Sequence, residues 1–92
     1  MVPVKNRCPT LNALSPELYD DIVRLLVEAR KNAGVTQVDV ALAIRRPQSF
    51  VSKYEKRERT LNVAEFIVIC RVIGADPYII LNHAEKLELR RS

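Results

Sequence analysis

Glycine is scarce in this 92-residue chain: only Gly34 and Gly74 are present. Few sites remain for tight hairpins or for a glycine-rich loop that cradles phosphate, so an all-β reading and a nucleotide-binding reading both start badly. Tryptophan is absent and aromatics make up 5% of the residues, while 48% are hydrophobic. The core must therefore be built from Val, Ile, Leu and Ala, as in small helical bundles. Two cysteines, Cys8 and Cys70, are too few for a disulfide framework. With no Cys-x-x-Cys and one distant histidine, His83, the reading is no metal site, no cofactor and no catalytic site. Cys70, in an apolar run, reads as an ordinary small core residue. No uninterrupted apolar stretch approaches the roughly 20 residues that span a bilayer. The most apolar segment, 63–81, is broken by Glu65, Arg71, Gly74, Asp76 and Pro77. The N-terminus lacks the basic-then-apolar pattern of a signal peptide. The expectation is a soluble, cytoplasmic chain with one hydrophobic core.

What charge there is lies in one place. The chain holds fifteen Lys+Arg and eleven Asp+Glu; six of the former and two of the latter fall between Arg45 and Arg59, leaving nine and nine elsewhere. The whole formal excess of +4 thus sits in fifteen residues, the footprint of a polyanion-binding site. A merely solvated charged loop is the plainer alternative.

Helical periodicity accounts for most of the remaining sequence. Residues 1–14, with Pro3 and Pro9, show no sustained period and read as a flexible leader to a single domain over 15–92. Ser15-Pro16-Glu17 is a helix start, with Ser as N-cap and Pro in the first turn. Leu18, Ile22, Leu25, Leu26, Ala29 and Ala33 then form one apolar stripe, closed by Gly34. Thr36 and Asp39 are spaced as a capping box opening a short second helix, with Val40, Ala41 and Ile44 inward. That helix must stop before Pro47. A third helix runs from Pro47 or Gln48 to about Lys56, with Val51 and Tyr54 inward. Asn62 and Glu65 make a second capping box for a fourth helix, carrying Val63, Phe66, Ile69, Cys70 and Ile73 to Gly74. Asp76-Pro77 starts a fifth, with Ile80, Leu81, Ala84 and Leu87 apolar. Five helices with short connections are an all-α bundle.

Two short helices joined over Ile44 to Pro47, the second followed by basic residues, have the layout of a helix-turn-helix with its core at 36–56. A helix fits the DNA major groove, and a preceding helix holds it at the right angle. The third helix accordingly presents Gln48, Ser49, Ser52, Lys53 and Lys56 on a polar side opposite Val51 and Tyr54. Any surface helix has a polar side, so the order of several short motifs carries more. Ala29-Arg30-Lys31-Asn32-Ala33-Gly34, Val35-Thr36-Gln37, Ala41, Gln48-Ser49-Phe50-Val51-Ser52-Lys53-Tyr54-Glu55 and Ile73-Gly74-Ala75-Asp76-Pro77 follow one another with the spacing of the Cro/phage-repressor, or xenobiotic-response-element, family. Over Leu26 to Leu81 the chain resembles that family.

The resemblance implies a lambda-repressor-like fold and a transcriptional regulator, a repressor, that binds double-stranded DNA without cofactor. Gln37 matches the family glutamine that contacts a phosphate and braces the recognition helix. Gln48 matches the first base-reading position, where an amide pairs with adenine through two hydrogen bonds. Ser49, Ser52 and Lys53 match further groove-facing positions, and Arg46, Lys56, Arg57 and Arg59 are expected to bind DNA, through phosphates in the case of the last three. Arg30 and Glu55 match a structural ion pair that pins the recognition helix to the first helix. Three departures stand out. Arg45 occupies the place of the family's turn glycine and Arg57 that of the glycine ending the recognition helix. A non-glycine residue at positive φ costs roughly 1 kcal/mol. Either these turns use other dihedrals or positive charge near phosphate compensates. Pro47 replaces the usual Ser/Thr N-cap, losing a cap while fixing φ.

One short recognition helix discriminates poorly against a genome, so a homodimer is expected. The surplus apolar positions Val68, Val72, Tyr78, Ile79 and Leu87, with Leu89, are the candidate dimer interface. They equally suit a second reading, an antitoxin or protein-interaction adaptor that binds a partner protein and autoregulates its operon. RNA binding is weaker, since single-strand recognition wants exposed stacking rings and Tyr54 should face inward.

Overall fold

The computed structural model describes residues 16–91, so the leader 1–14 with Cys8, and the N-cap assigned to Ser15, lie outside the described residues. Five helices follow in order: α1 (Pro16–Asn32), α2 (Gln37–Ile44), α3 (Gln48–Glu55), α4 (Val63–Ile73) and α5 (Pro77–Arg91). The described residues include no strand. The fold is the all-α helix-turn-helix bundle expected of the pattern.

Local chemistry sets where the helices begin. Thr36 Oγ1 accepts the Asp39 amide at 3.0 Å while Asp39 Oδ2 accepts the Thr36 amide at 3.0 Å. Asn62 and Glu65 repeat the reciprocal pair at 2.8 and 3.0 Å. Each cap satisfies amides that a helix start leaves orphaned, worth about 1 kcal/mol. At α5, Asp76 Oδ1 accepts the Tyr78 amide at 2.8 Å.

Four helices end in the same way. Gly34, Arg45, Arg57 and Gly74 all have positive φ, at 74°, 58°, 65° and 75°. After each, the next amide reaches back five residues: Val35 to Arg30, Arg46 to Ala41, Glu58 to Lys53 and Ala75 to Cys70, at 2.8–3.1 Å. This is the Schellman closure, in which a left-handed residue lets the chain fold back over the last carbonyls. The two arginines thus keep the glycine geometry, and the alternative of different dihedrals at these turns is set aside.

Val23, Leu26, Val40, Val51, Tyr54, Ile69 and Cys70 are fully enclosed and form the centre of the core. Burial pushes the Cys70 thiol up to about 11, which leaves it protonated and inert. Three expectations about burial change. In α1 the buried set is Val23, Leu25 and Leu26 with Asp21 and Arg30, whereas Leu18, Ile22 and Ala29 are partly buried and Ala33 is exposed. The cause is that α1 packs against α3, α4 and α5, so more than one stripe is covered; Ala33 lies past the end of the helix. Val63, at the first position of α4, is 73% exposed. On α5, Ile80 and Ala84 turn inward, and Leu81 sits at the edge beside Tyr19, Ile22 and Val63.

Polar ties hold α1 to both ends of the chain that follows. Tyr19 Oη accepts the Leu61 amide at 3.0 Å. Asp21 accepts Arg91 at 2.7 Å and Arg24 at 3.1 Å. Those guanidinium groups, Arg91 foremost, hold the Asp21 carboxyl below the usual carboxylate range.

Candidate nucleic-acid interface

The third helix has two chemically distinct sides. Phe50, Val51 and Tyr54 are buried, with the Phe50 and Tyr54 rings edge-on at 5.8 Å. Gln48, Ser49, Lys53 and the cap residue Lys56 are exposed, and Ser52 is half-buried. Pro47 is the N-cap residue and makes no side-chain cap, as its chemistry dictates.

A chain of side-chain bonds fixes this helix to the two before it. Arg30 Nε donates to Glu55 Oε2 at 2.7 Å and its Nη2 to Oε1 at 3.0 Å, with both side chains about nine-tenths buried. Arg30 Nη1 also donates to the Val35 carbonyl at 2.9 Å. Glu55 Oε1 accepts Gln37 Nε2 at 2.8 Å, and Gln37 Oε1 accepts Gln48 Nε2 at 2.9 Å. The order of the chain is forced by chemistry. An ionised carboxylate only accepts, so Gln37 must turn its NH2 group to Glu55 and its carbonyl to Gln48. Gln48 is then left with its carbonyl and one N–H unspent, at the exposed start of α3.

The cations of the basic segment divide into two groups. Arg59 makes a two-pronged pair with Glu65, both bonds 3.0 Å, and also donates to the Thr60 carbonyl. Arg57 donates to Asp20 Oδ1 at 2.9 Å, to the Asp20 carbonyl at 3.2 Å and to the Glu55 carbonyl. Arg46 lies 4.0 Å from Glu65. The guanidinium groups of Arg46 and Arg59 lie over the Phe50 ring, 4.9 and 4.4 Å from its centroid. Arg59, and next the Asn62 amide, hold the Glu65 carboxyl below its ordinary range. Among the described residues, the side chains of Arg45, Lys53 and Lys56 have no ion-pair or hydrogen-bond partner.

Phe50, four residues before Tyr54, joins the inward face to which the sequence pattern assigns only Val51 and Tyr54. Arg45 enters the sequence reading only through charge near phosphate at the turn, and not among the candidate DNA contacts. Of the candidate dimer residues, Val68, Tyr78 and Ile79 are 45%, 81% and 66% exposed, and Val72 and Leu87 are partly buried. No helix among the described residues is long and apolar enough to cross a membrane.

Comparison with known families and structures agrees with this geometry. Residues 26–80 match the helix-turn-helix family. Among solved structures, the chain is similar to an XRE-family like protein from Pseudomonas syringae pv. tomato str. DC3000, with 44% identity and a TM-score of 0.73. The match covers 92% of this chain and 98% of that one. The comparison with curated proteins found no match. The chain belongs to the Cro/phage-repressor, or xenobiotic-response-element, family of helix-turn-helix proteins, a family of DNA-binding transcription regulators rather than enzymes.

Proposed function

We propose that this protein is a cytoplasmic, sequence-specific transcriptional repressor that places α3 in the major groove of double-stranded DNA. The observation that carries the reading is the bonded chain Arg30–Glu55–Gln37–Gln48. It holds the Gln48 amide so that a carbonyl acceptor and an N–H donor stay free, the pair that adenine N6 and N7 require. Ser49, Ser52 and Lys53 extend the readout along the same side. Gln37 adds a phosphate contact, as does Lys56, and Arg46 adds another by swinging out from Phe50 and Glu65. Arg57 and Arg59 are tied to Asp20 and Glu65 within the chain, so their part is chiefly to hold the segment in place, with phosphate contact secondary.

A two-fold homodimer supplies the second half-site, through Val68, Val72, Tyr78, Ile79 and Leu87. Selection of bound duplexes from a random pool tests the reading. Recovery of a palindromic motif supports it; a pool that never enriches sinks it. The exposed apolar residues Tyr78, Ile79 and Leu89 also favour a second reading, an adaptor or antitoxin with a protein partner. Purification as a stable complex with an unrelated protein, together with failure to enrich DNA, would select that alternative.

A further inference from the structure

We infer that Arg45, in the turn between α2 and α3, contacts a phosphodiester of the DNA backbone, an assignment that rests on reading α3 as the DNA-binding helix. Arg45 and Arg57 are the two non-glycine residues with positive φ among the described residues, and each closes a helix in the manner of Gly34 and Gly74. Such a conformation brings Cβ against the following carbonyl and is adopted freely only by glycine. A strained residue persists where its side chain makes something of the position. For Arg57 the reason lies within the chain, since its guanidinium ties Asp20 of α1 and the Glu55 carbonyl at the end of α3.

Arg45 has no such internal partner. It is exposed, caps α2 at φ 58° and ψ 45°, and lies two residues before Pro47, from which α3 departs. Its neighbour Arg46 is turned back over Phe50 toward Glu65, so the two cations of the turn face different company. Glu65, the acidic group beside Arg46, is already flanked by Arg59 and Arg46. An unpaired guanidinium beside the start of a groove-entering helix fits a phosphate oxygen, which takes the planar fork through charge-assisted bonds. Such a contact adds affinity and salt dependence without reading a base.

The test exploits the backbone. Arg45→Gly removes the charge while giving the turn the residue its φ favours, so the variant should fold with Tm at or above wild type. Its affinity should fall equally for the duplex recovered by selection and for a mixed-sequence duplex. The slope of log K against log salt should shrink by about 0.9 for one lost contact. The deficit against wild type should therefore narrow about threefold between roughly 50 and 200 mM salt. Arg45→Lys should restore most of the slope. Arg57→Gly should leave the slope near wild type. An unchanged slope in Arg45→Gly, with wild type still binding DNA, overturns the assignment and leaves the DNA reading standing. A wild type that binds neither duplex overturns both.

Discussion

Removing the Glu55 carboxylate is the sharpest perturbation the structure offers. Glu55→Ala takes two charge-assisted bonds from Arg30, at 2.7 and 3.0 Å, and the acceptor from Gln37 at 2.8 Å. The Arg30 side chain is 10% exposed, so water reaches it poorly once its partner is gone. Breaking a buried pair by deleting one partner costs about 3–5 kcal/mol, most of it the penalty of a stranded charge. For a domain of this size the loss should lower Tm by roughly 12 °C or more. Urea and thermal unfolding followed by circular dichroism measure it. Arg30→Ala should cost a similar amount, because it strands an equally enclosed carboxylate and also removes the bond to the Val35 carbonyl. Replacing both partners, Arg30→Met with Glu55→Leu, should recover a large part of the loss, since a buried pair is worth little against an apolar one. That double variant should nevertheless read DNA less selectively, because nothing then orients the Gln37 amide. A Glu55→Ala protein within about 0.5 kcal/mol of wild type, the range of an ordinary surface substitution, would refute the reasoning.

Gln48→Ala should lower affinity for the selected duplex by about 1–3 kcal/mol and relax preference at one base pair, leaving Tm nearly unchanged; binding competition with single-base variants of the duplex checks it. Gln37→Leu should give a milder form of the same defect, read in the same competition, because Gln48 keeps its groups but loses their fixed direction. On the acid side, Asp21, Asp39 and Glu65 all titrate below their ordinary values in the folded chain. Their stabilisation is present above the ordinary carboxylate range, about pH 4, and lost as pH falls through the lowered values; Tm should hold down to roughly pH 5 and drop below pH 4, less steeply in Glu65→Gln. Light scattering at micromolar protein should find a dimer in wild type and a folded monomer in Val72→Glu combined with Ile79→Glu; a monomeric wild type that still binds one half-site tightly would exclude the proposed interface.

Elements whose cause is local were legible in the sequence. The reciprocal caps Thr36/Asp39 and Asn62/Glu65 span three residues, and the pattern carries the whole interaction. The positions of Gly34 and Gly74 likewise mark helix ends by a requirement on one dihedral. Burial in α1 was less legible because a periodic stripe describes a helix with one covered face. α1 lies between several neighbours, so Val23 is fully enclosed and Asp21 is drawn in by Arg91, seventy residues away. No local rule carries that contact.

The candidate site divides along the same line. A count of charges between 45 and 59 locates the basic segment but not what each cation faces. Arg57 is committed to Asp20, 37 residues earlier, and Arg59 to a glutamate that also caps the next helix. Arg45 left no mark in that count beyond one more positive charge. Only its comparison with the family glycine, and then its retained positive φ, set it apart. The formal excess of +4 therefore overstates how many cations stand free and does not say which ones they are. The cations that stand without an internal partner from the turn to the end of α3 are Arg45, Lys53 and Lys56, around an oriented glutamine. That arrangement couples few free charges to one fixed amide, so discrimination should depend on the buried Arg30–Glu55 pair as much as on any residue that touches DNA.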